Sequence, residues 1–197
     1  MKNTLTNFLA AAVLALSSLS ASAGPVPYPN PGILNSVTYN FTAASTGDVV
    51  AYFWGSTAGY TSTLSLLVNG VDTGITGLNN HTSVYGDFLN FGSVNAGDVL
   101  VFRLNVLSTG DAWYSNAALN YDGLNHIYST DFVGDAFIPS GTFVSFEDLP
   151  YGGDLNYNDE DFVFTNVRDL NAVPEPLSAL LLATGLLGAA VVRRRKL

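Results

Sequence analysis

The chain contains no cysteine, which excludes disulfide frameworks, thiolate metal sites and cysteine nucleophiles at the outset. Basic charge is nearly as scarce. Of the 7 Lys and Arg, Lys2 stands near the start and Arg193, Arg194, Arg195 and Lys196 crowd the end, with only Arg103 and Arg168 between. Against them stand 16 Asp and Glu, all from Asp48 to Glu175, for a formal net charge of -9. A middle this acidic repels phosphate backbones, so nucleic acid is excluded as a partner. Its carboxylates do suit hard cations such as calcium. Charged residues reach only 12% against 48% hydrophobic, which is not the composition of a disordered chain. His81 and His126 are the only histidines, and neither sits in a motif such as HExxH; no GxSxG elbow or phosphate-binding glycine loop is present. The sequence therefore reads as non-enzymatic.

Both ends read as addresses. Residues 1–23 place Lys2 before an apolar stretch from Phe8 to Leu19 and close on Ala21-Ser22-Ala23, the small-x-small pattern of a secretory signal peptide. Cleavage there leaves Gly24 as the mature N-terminus. At the other end, residues 177–192 carry no charge. As a helix they would span about 24 Å, slightly short of a hydrocarbon core of about 30 Å. Local thinning and snorkelling arginines absorb that mismatch. The cluster Arg193–Lys196 should stay cytoplasmic, leaving the rest of the chain outside the membrane.

Val173-Pro174-Glu175-Pro176, the apolar helix and the arginine-rich end, in that order, resemble the PEP-CTERM sorting signal of Gram-negative bacteria. The resemblance covers residues 173–197. It implies that Pro174, Glu175 and Pro176 are the sorting motif and that an exosortase-type enzyme processes the chain. It further implies transient membrane insertion of the precursor through the C-terminal helix, then delivery to the cell surface or extracellular space. Such proteins often come from bacteria that make exopolysaccharide. The signal states a route and not an activity.

Between the addresses, the stretch GPVPYPNPG opens an extended, proline-rich leader over residues 24–35. One domain is expected over residues 36–172. Short runs rich in Val, Phe, Tyr and Leu alternate there with Gly, Asn, Asp and Ser, and no helical stripe is sustained. The expected strands are Ser36–Thr42, Asp48–Trp54, Thr63–Asn69, Val84–Phe91, Asp98–Val106, Ala117–Tyr121, Phe132–Ile138, Thr142–Phe146 and Phe162–Val167. Asn69-Gly70 after an apolar run is the clearest hairpin signal. The fold class is all-β, an antiparallel β-sandwich of jelly-roll type. STGDVVAYFWGSTAG from Ser45 echoes NAGDVLVFRLNVLSTG from Asn95, a turn-to-strand solution used twice more than a sign of duplication.

Chemistry concentrates in FEDLPYGGDLNYNDEDFVF, from Phe146 to Phe164. Glu147, Asp148, Asp154, Asp159, Glu160 and Asp161 repel one another there unless solvated or bound to a cation. Asp154, Asn156 and Asn158 have the opening spacing of an EF-hand loop, but Asp159 stands where that motif needs Gly and Thr165 where it needs Glu. A calcium loop of another geometry and a solvated acidic turn both remain open. The segment also resembles a domain of unknown function found in bacterial surface proteins and large calcium-dependent adhesins. The resemblance rests on Phe146-Glu147-Asp148, then Gly152-Gly153-Asp154-Leu155-Asn156-Tyr157-Asn158-Asp159, then Val163-Phe164. It departs where Asn156 replaces the usual Asp and where Glu160-Asp161 lengthens the approach to the last strand. It implies a β-sandwich and calcium held by Glu147, Asp148, Asp154, Asn156, Asn158 and Asp159, with no catalytic residue.

Three roles follow in order of support. The first is a calcium-binding structural or adhesive protein of the surface or extracellular matrix. The second is a carbohydrate-binding module of an exopolysaccharide layer, stacking sugars on Trp54, Tyr60, Trp113 and Tyr114. The third is a glycan-active enzyme that pairs Glu147 with another acid.

Overall fold

Alternating apolar and polar residues give each strand one face to bury, and two such faces close on one another. The computed structural model describes residues 27–171 and shows an all-β chain with two antiparallel sheets packed together. The strands are β1 (Phe41–Ala43), β2 (Gly47–Ser56), β3 (Ser62–Val68), β4 (Val71–Gly77), β5 (Phe88–Val94) and β6 (Val99–Val106). They continue as β7 (Asp111–Tyr114), β8 (Ile127–Phe132), β9 (Gly141–Phe146), β10 (Glu160–Thr165) and β11 (Val167–Asp169). One sheet has the order β11-β1-β6-β3-β4, with β7 also on β6; the other has the order β5-β2-β10-β9-β8. The signal peptide (1–23) and the sorting signal with its helix (173–197) lie outside the described residues.

The core lies between the sheets. Phe102 of β6 stacks on Phe164 of β10 with centroids 3.8 Å apart, and Phe41 of β1 adjoins Phe102 at 5.0 Å. Leu64, Leu66, Leu104, Val144, Phe146 and Phe162 are buried around them. Each such side chain contributes about 1.5–3 kcal/mol relative to exposure. A smaller cluster of Phe132, Ile138, Phe143 and Val163 packs with Tyr52, Trp54 and Tyr128. Tyr52, Val163 and Phe143 stand opposite one another across β2, β10 and β9 and so share a face, the one turned away from the main core.

Several expected strands moved. The Asn69-Gly70 turn forms, with both residues at positive φ (51° and 81°), as a two-residue hairpin requires. The strand it leads into, β4, had no expected counterpart, and neither had β7. The expected strand Ala117–Tyr121 is instead a 3-10 turn, Ala117–Leu119, because the Asn116 side chain accepts from Ala118 N–H at 3.1 Å and closes the chain on itself. The expected strand Phe132–Ile138 lies earlier, as β8. Asp135 accepts from the N–H groups of Phe137 (2.8 Å) and Ile138 (2.9 Å), which folds that stretch into a loop. The two echoing segments become β2 and β6, inner strands of opposite sheets. Within residues 27–35, Tyr28 is buried against Tyr128 and Tyr157.

Candidate functional site

The acidic segment is the connection from β9 to β10. Leaving β9, Glu147 donates its N–H to His126 O at 2.9 Å, and Asp159, just before β10, donates to Phe146 O at 3.0 Å. These bonds hold the ends of the connection together. Asp148 N–H reaches Asp159 Oδ2 at 3.0 Å, and Glu147 Oε1 accepts from Tyr157 N–H. Gly153 is the residue that permits this approach. At φ +53°, a Cβ there would stand 2.9 Å from Glu147 Oε2 and 3.3 Å from Leu149 Cβ.

Burial separates these acids from ordinary surface carboxylates. Glu147 is 1% exposed, Asp148 3%, Glu160 0% and Asp161 7%. Both carboxylate oxygens of Glu160 and Oδ2 of Asp148 have no hydrogen-bond partner. The Ser62 hydroxyl lies close enough to Glu160 to favour its charged form, yet makes no hydrogen bond. Burial, then repulsion from Asp148, pushes Glu160 up to about 9. Burial, then the charges of Asp159 and Asp154, pushes Glu147 up to about 8. Burial, then Asp159, pushes Asp148 up to about 7. Burial also raises Asp161 to about 7, against the Ser145 hydroxyl that bonds it, and raises Asp159. Burial thus favours the neutral form of each of these carboxyls over the charged one.

The six expected ligands do not all converge. Glu147, Asp148 and Asp159 come together; Glu160 and Asp161, successive residues of β10, face opposite sides of the sheet, Glu160 toward the core with Phe146 and Asp161 toward the Ser145 hydroxyl. Asp154 is exposed and bonds Asn156 through both oxygens, at 3.2 Å to N–H and 2.7 Å to Nδ2. Its charge reaches Glu147 and Asp159 from outside. The Asn156 amide oxygen is buried without a partner. Asn158 Oδ1 accepts from the Thr57 hydroxyl at 2.8 Å, turned toward the β2–β3 connection. Among the described residues, no three carboxylate or imidazole groups form a ready-made metal cage.

A rigid wall backs the loop. Trp113 is fully buried, stacks on His126 with centroids 3.8 Å apart, and donates Nε1–H to Asp148 O at 2.8 Å. His126 sets its other contacts at 3.2 Å to Glu147 O and 2.9 Å to Asp122 Oδ2. Asp122 also accepts from Tyr151 N–H at 2.9 Å. Burial raises the Asp122 carboxyl, but bonds from Leu124, His126 and Tyr151 outweigh it and hold the group low. Sequence reasoning found no motif around His126 and read Trp113 as a sugar platform, so it missed both. Nothing in the spacing of either residue marks the stack. Trp54 and Tyr114 lie on opposite sheets, and Tyr60 lies between β2 and β3, so the expected sugar-stacking set does not line one face.

No family model matches this chain, and no curated protein or solved structure matches it.

Proposed function

We propose that this is an exported bacterial surface or matrix protein whose jelly-roll-type sandwich is locked by calcium at the β9–β10 loop, structural or adhesive in role. The observation that carries the reading is the unbonded, buried oxygens of Glu160 and Asp148, with Glu160 within reach of the charges of Asp148 and Asp159 and Asp148 within reach of that of Asp159. Buried polar atoms are bonded as a rule, and several like charges in one place call for a counter-ion. Calcium takes six to eight oxygens in flexible geometry, which suits a mixed set of carboxylates and amide oxygens. The export route rests on the resemblance of residues 173–197 and on the signal pattern of residues 1–23. Calcium titration of the purified chain tests the site: the melting temperature should rise with calcium and fall with chelator. Asp148→Asn should blunt that response, while Asp111→Asn, on β7, should keep it. A chelator that leaves the melting curve unchanged leaves a solvated acidic turn in its place.

A carbohydrate-binding reading has one observation in its favour. Phe88, Tyr85 and Phe137 are 67%, 41% and 73% exposed, and they continue the ring contacts of Tyr52 and Trp54. Loss of glycan-array binding in Phe137→Ala would promote it.

A further inference from the structure

The sheet itself divides the acids at the start of β10. Asp161 turns to the Ser145 hydroxyl, while Glu160, opposite Phe146, turns inward with Phe162 and Phe164 toward the facing sheet. What meets Glu160 there is polar. Ser62, the first residue of β3 and directly opposite Val106 of β6, is 0% exposed and sits beside the Glu160 carboxylate. Its N–H is satisfied by Asn80 Oδ1 at 2.8 Å, but its hydroxyl has no partner. Neither carboxylate oxygen of Glu160 has one, and nor has Oδ2 of Asp148, whose charge repels Glu160. Four buried oxygens from three residues are thus orphaned where the two sheets face each other.

A hydroxyl beside a carboxylate ordinarily satisfies it, since the hydroxyl has a proton to give and the carboxylate only accepts. Ser62 and Glu160 stand close and unbonded. Each orphaned buried acceptor costs stability, and a charged one costs most. One water donates only two hydrogen bonds, so it leaves a carboxylate oxygen orphaned and both charges unbalanced. A hard cation takes lone pairs from all four oxygens and balances the charge as well. The surroundings hold the set in place. Trp113 of β7, in the same sheet as Ser62, donates Nε1–H to Asp148 O at 2.8 Å, so Asp148 is also fixed from the facing sheet.

We infer that the calcium ion is held between the two sheets, ligated by Glu160 and Asp148 from one side and by the Ser62 hydroxyl from the other, so that it staples the sheets together. This placement rests on the calcium reading and narrows it. Asp154, which bonds Asn156, and Asn158, which bonds Thr57, fall outside the ligand set. An ion held in this way binds only the closed sandwich.

Terbium, an oxygen-seeking substitute for calcium, reports the site in the full chain, because an excited indole close by makes it luminesce. Trp54 and Trp113 are the only tryptophans, and Trp54 lies in the cluster turned away from the main core. Terbium emission excited through indole should appear in the wild-type chain, be displaced by calcium and persist in Trp54→Phe. Ser62→Ala should weaken terbium and calcium binding by roughly tenfold, the scale of one lost bond to a charged partner. Asn158→Ala should leave both unchanged. The stability effect of Ser62→Ala should also change sign: with chelator it melts at or above the wild-type temperature, having lost an orphaned hydroxyl, and with calcium it melts below. A wild-type chain with neither emission nor a calcium shift overturns the calcium reading, and this placement with it. Full binding in Ser62→Ala, emission lost in Trp54→Phe or weakened binding in Asn158→Ala overturns the placement alone and leaves the ion in the loop. A lower melting temperature of Ser62→Ala with chelator makes Ser62 a structural residue and overturns its role as a ligand.

Discussion

Replacing Glu160 by Gln isolates the buried charge from the shape that surrounds it. The ordinary value for this carboxyl is 4.5, and in the folded chain it is pushed up to about 9. Between those values the folded state holds a proton that the unfolded state has released. Stability without cation is therefore full below about 4.5 and falls as pH rises toward about 9, the reverse of the usual paired carboxylate. The limiting slope for one such group is about 1.4 kcal/mol per pH unit. From about pH 5 to about pH 8 the wild-type chain should lose on the order of 2–4 kcal/mol more than Glu160→Gln in metal-depleted buffer. Calcium should restore the wild-type loss, since a ligand at a hundredfold excess over its Kd adds about 2.7 kcal/mol. The neutral amide should gain less. Urea unfolding at a series of pH values, with and without calcium, reads both effects. Parallel pH curves for the two chains would refute the burial argument, and equal calcium gains would remove Glu160 from the ligand set.

Three further outcomes are expected. Trp113→Phe keeps most of the stack on His126 but leaves Asp148 O without its indole donor, for a loss of about 1–3 kcal/mol by denaturant unfolding. Gly153→Ala forces a Cβ into Glu147 Oε2 at positive φ; it should cost about 1–2 kcal/mol from the backbone alone and weaken the calcium response in a melting assay. Intact-mass measurement of the extracellular form should show loss of residues 1–23 and of the Arg193–Lys196 tail. Finding Leu197 in that fraction would replace sorting with permanent anchoring.

Strand identity was legible where burial imposes a pattern and illegible where it does not. β2, β3, β6, β9 and β10 lie inside their sheets and carry the apolar runs that marked them. β4 follows a clear hairpin turn, yet none of its residues is buried, so VDTGITG shows no apolar face to read. β7 has four residues and survives because β6 offers it a ready edge. At β8 the polar run Ser129-Thr130-Asp131 hid an edge strand, and the more apolar Phe132–Ile138 drew the expectation downstream.

The candidate site was legible as a density of carboxylates but not as a geometry. Glu160 and Asp161 looked like an insertion that spoiled the spacing. They are in fact the first residues of β10, and a register shift between Asp161 and Phe162 absorbs them in the pairing with β2. Two acids that spacing set aside are thereby carried into the buried end of the sheet, while Asn158, which spacing favoured, turns to Thr57. Linear spacing marks a cluster only where one loop supplies all of its members, and here strand pairing brings in some of the buried acids.

The loop also adopts a conformation that its residue types disfavour. Tyr151, Leu155 and Tyr157 hold φ of 62°, 58° and 52°, where each non-glycine residue costs on the order of 1–2 kcal/mol. Such strain persists only when the surroundings over-determine it. Each of the three is pinned by a different part of the molecule: Tyr151 N–H by Asp122, Leu155 O by Gly32, and Tyr157 N–H by Glu147. The buried Asp122–His126 pair, the N-terminal segment around Gly32 and the acid cluster thus meet in one strained connection. Glu147 is the sharpest case, because the carboxylate that fixes Tyr157 is also one that burial pushes up to about 8. A single residue, Tyr157, thus touches both the cluster and the N-terminal segment: its amide bonds Glu147 and its hydroxyl accepts from Asn35 N–H.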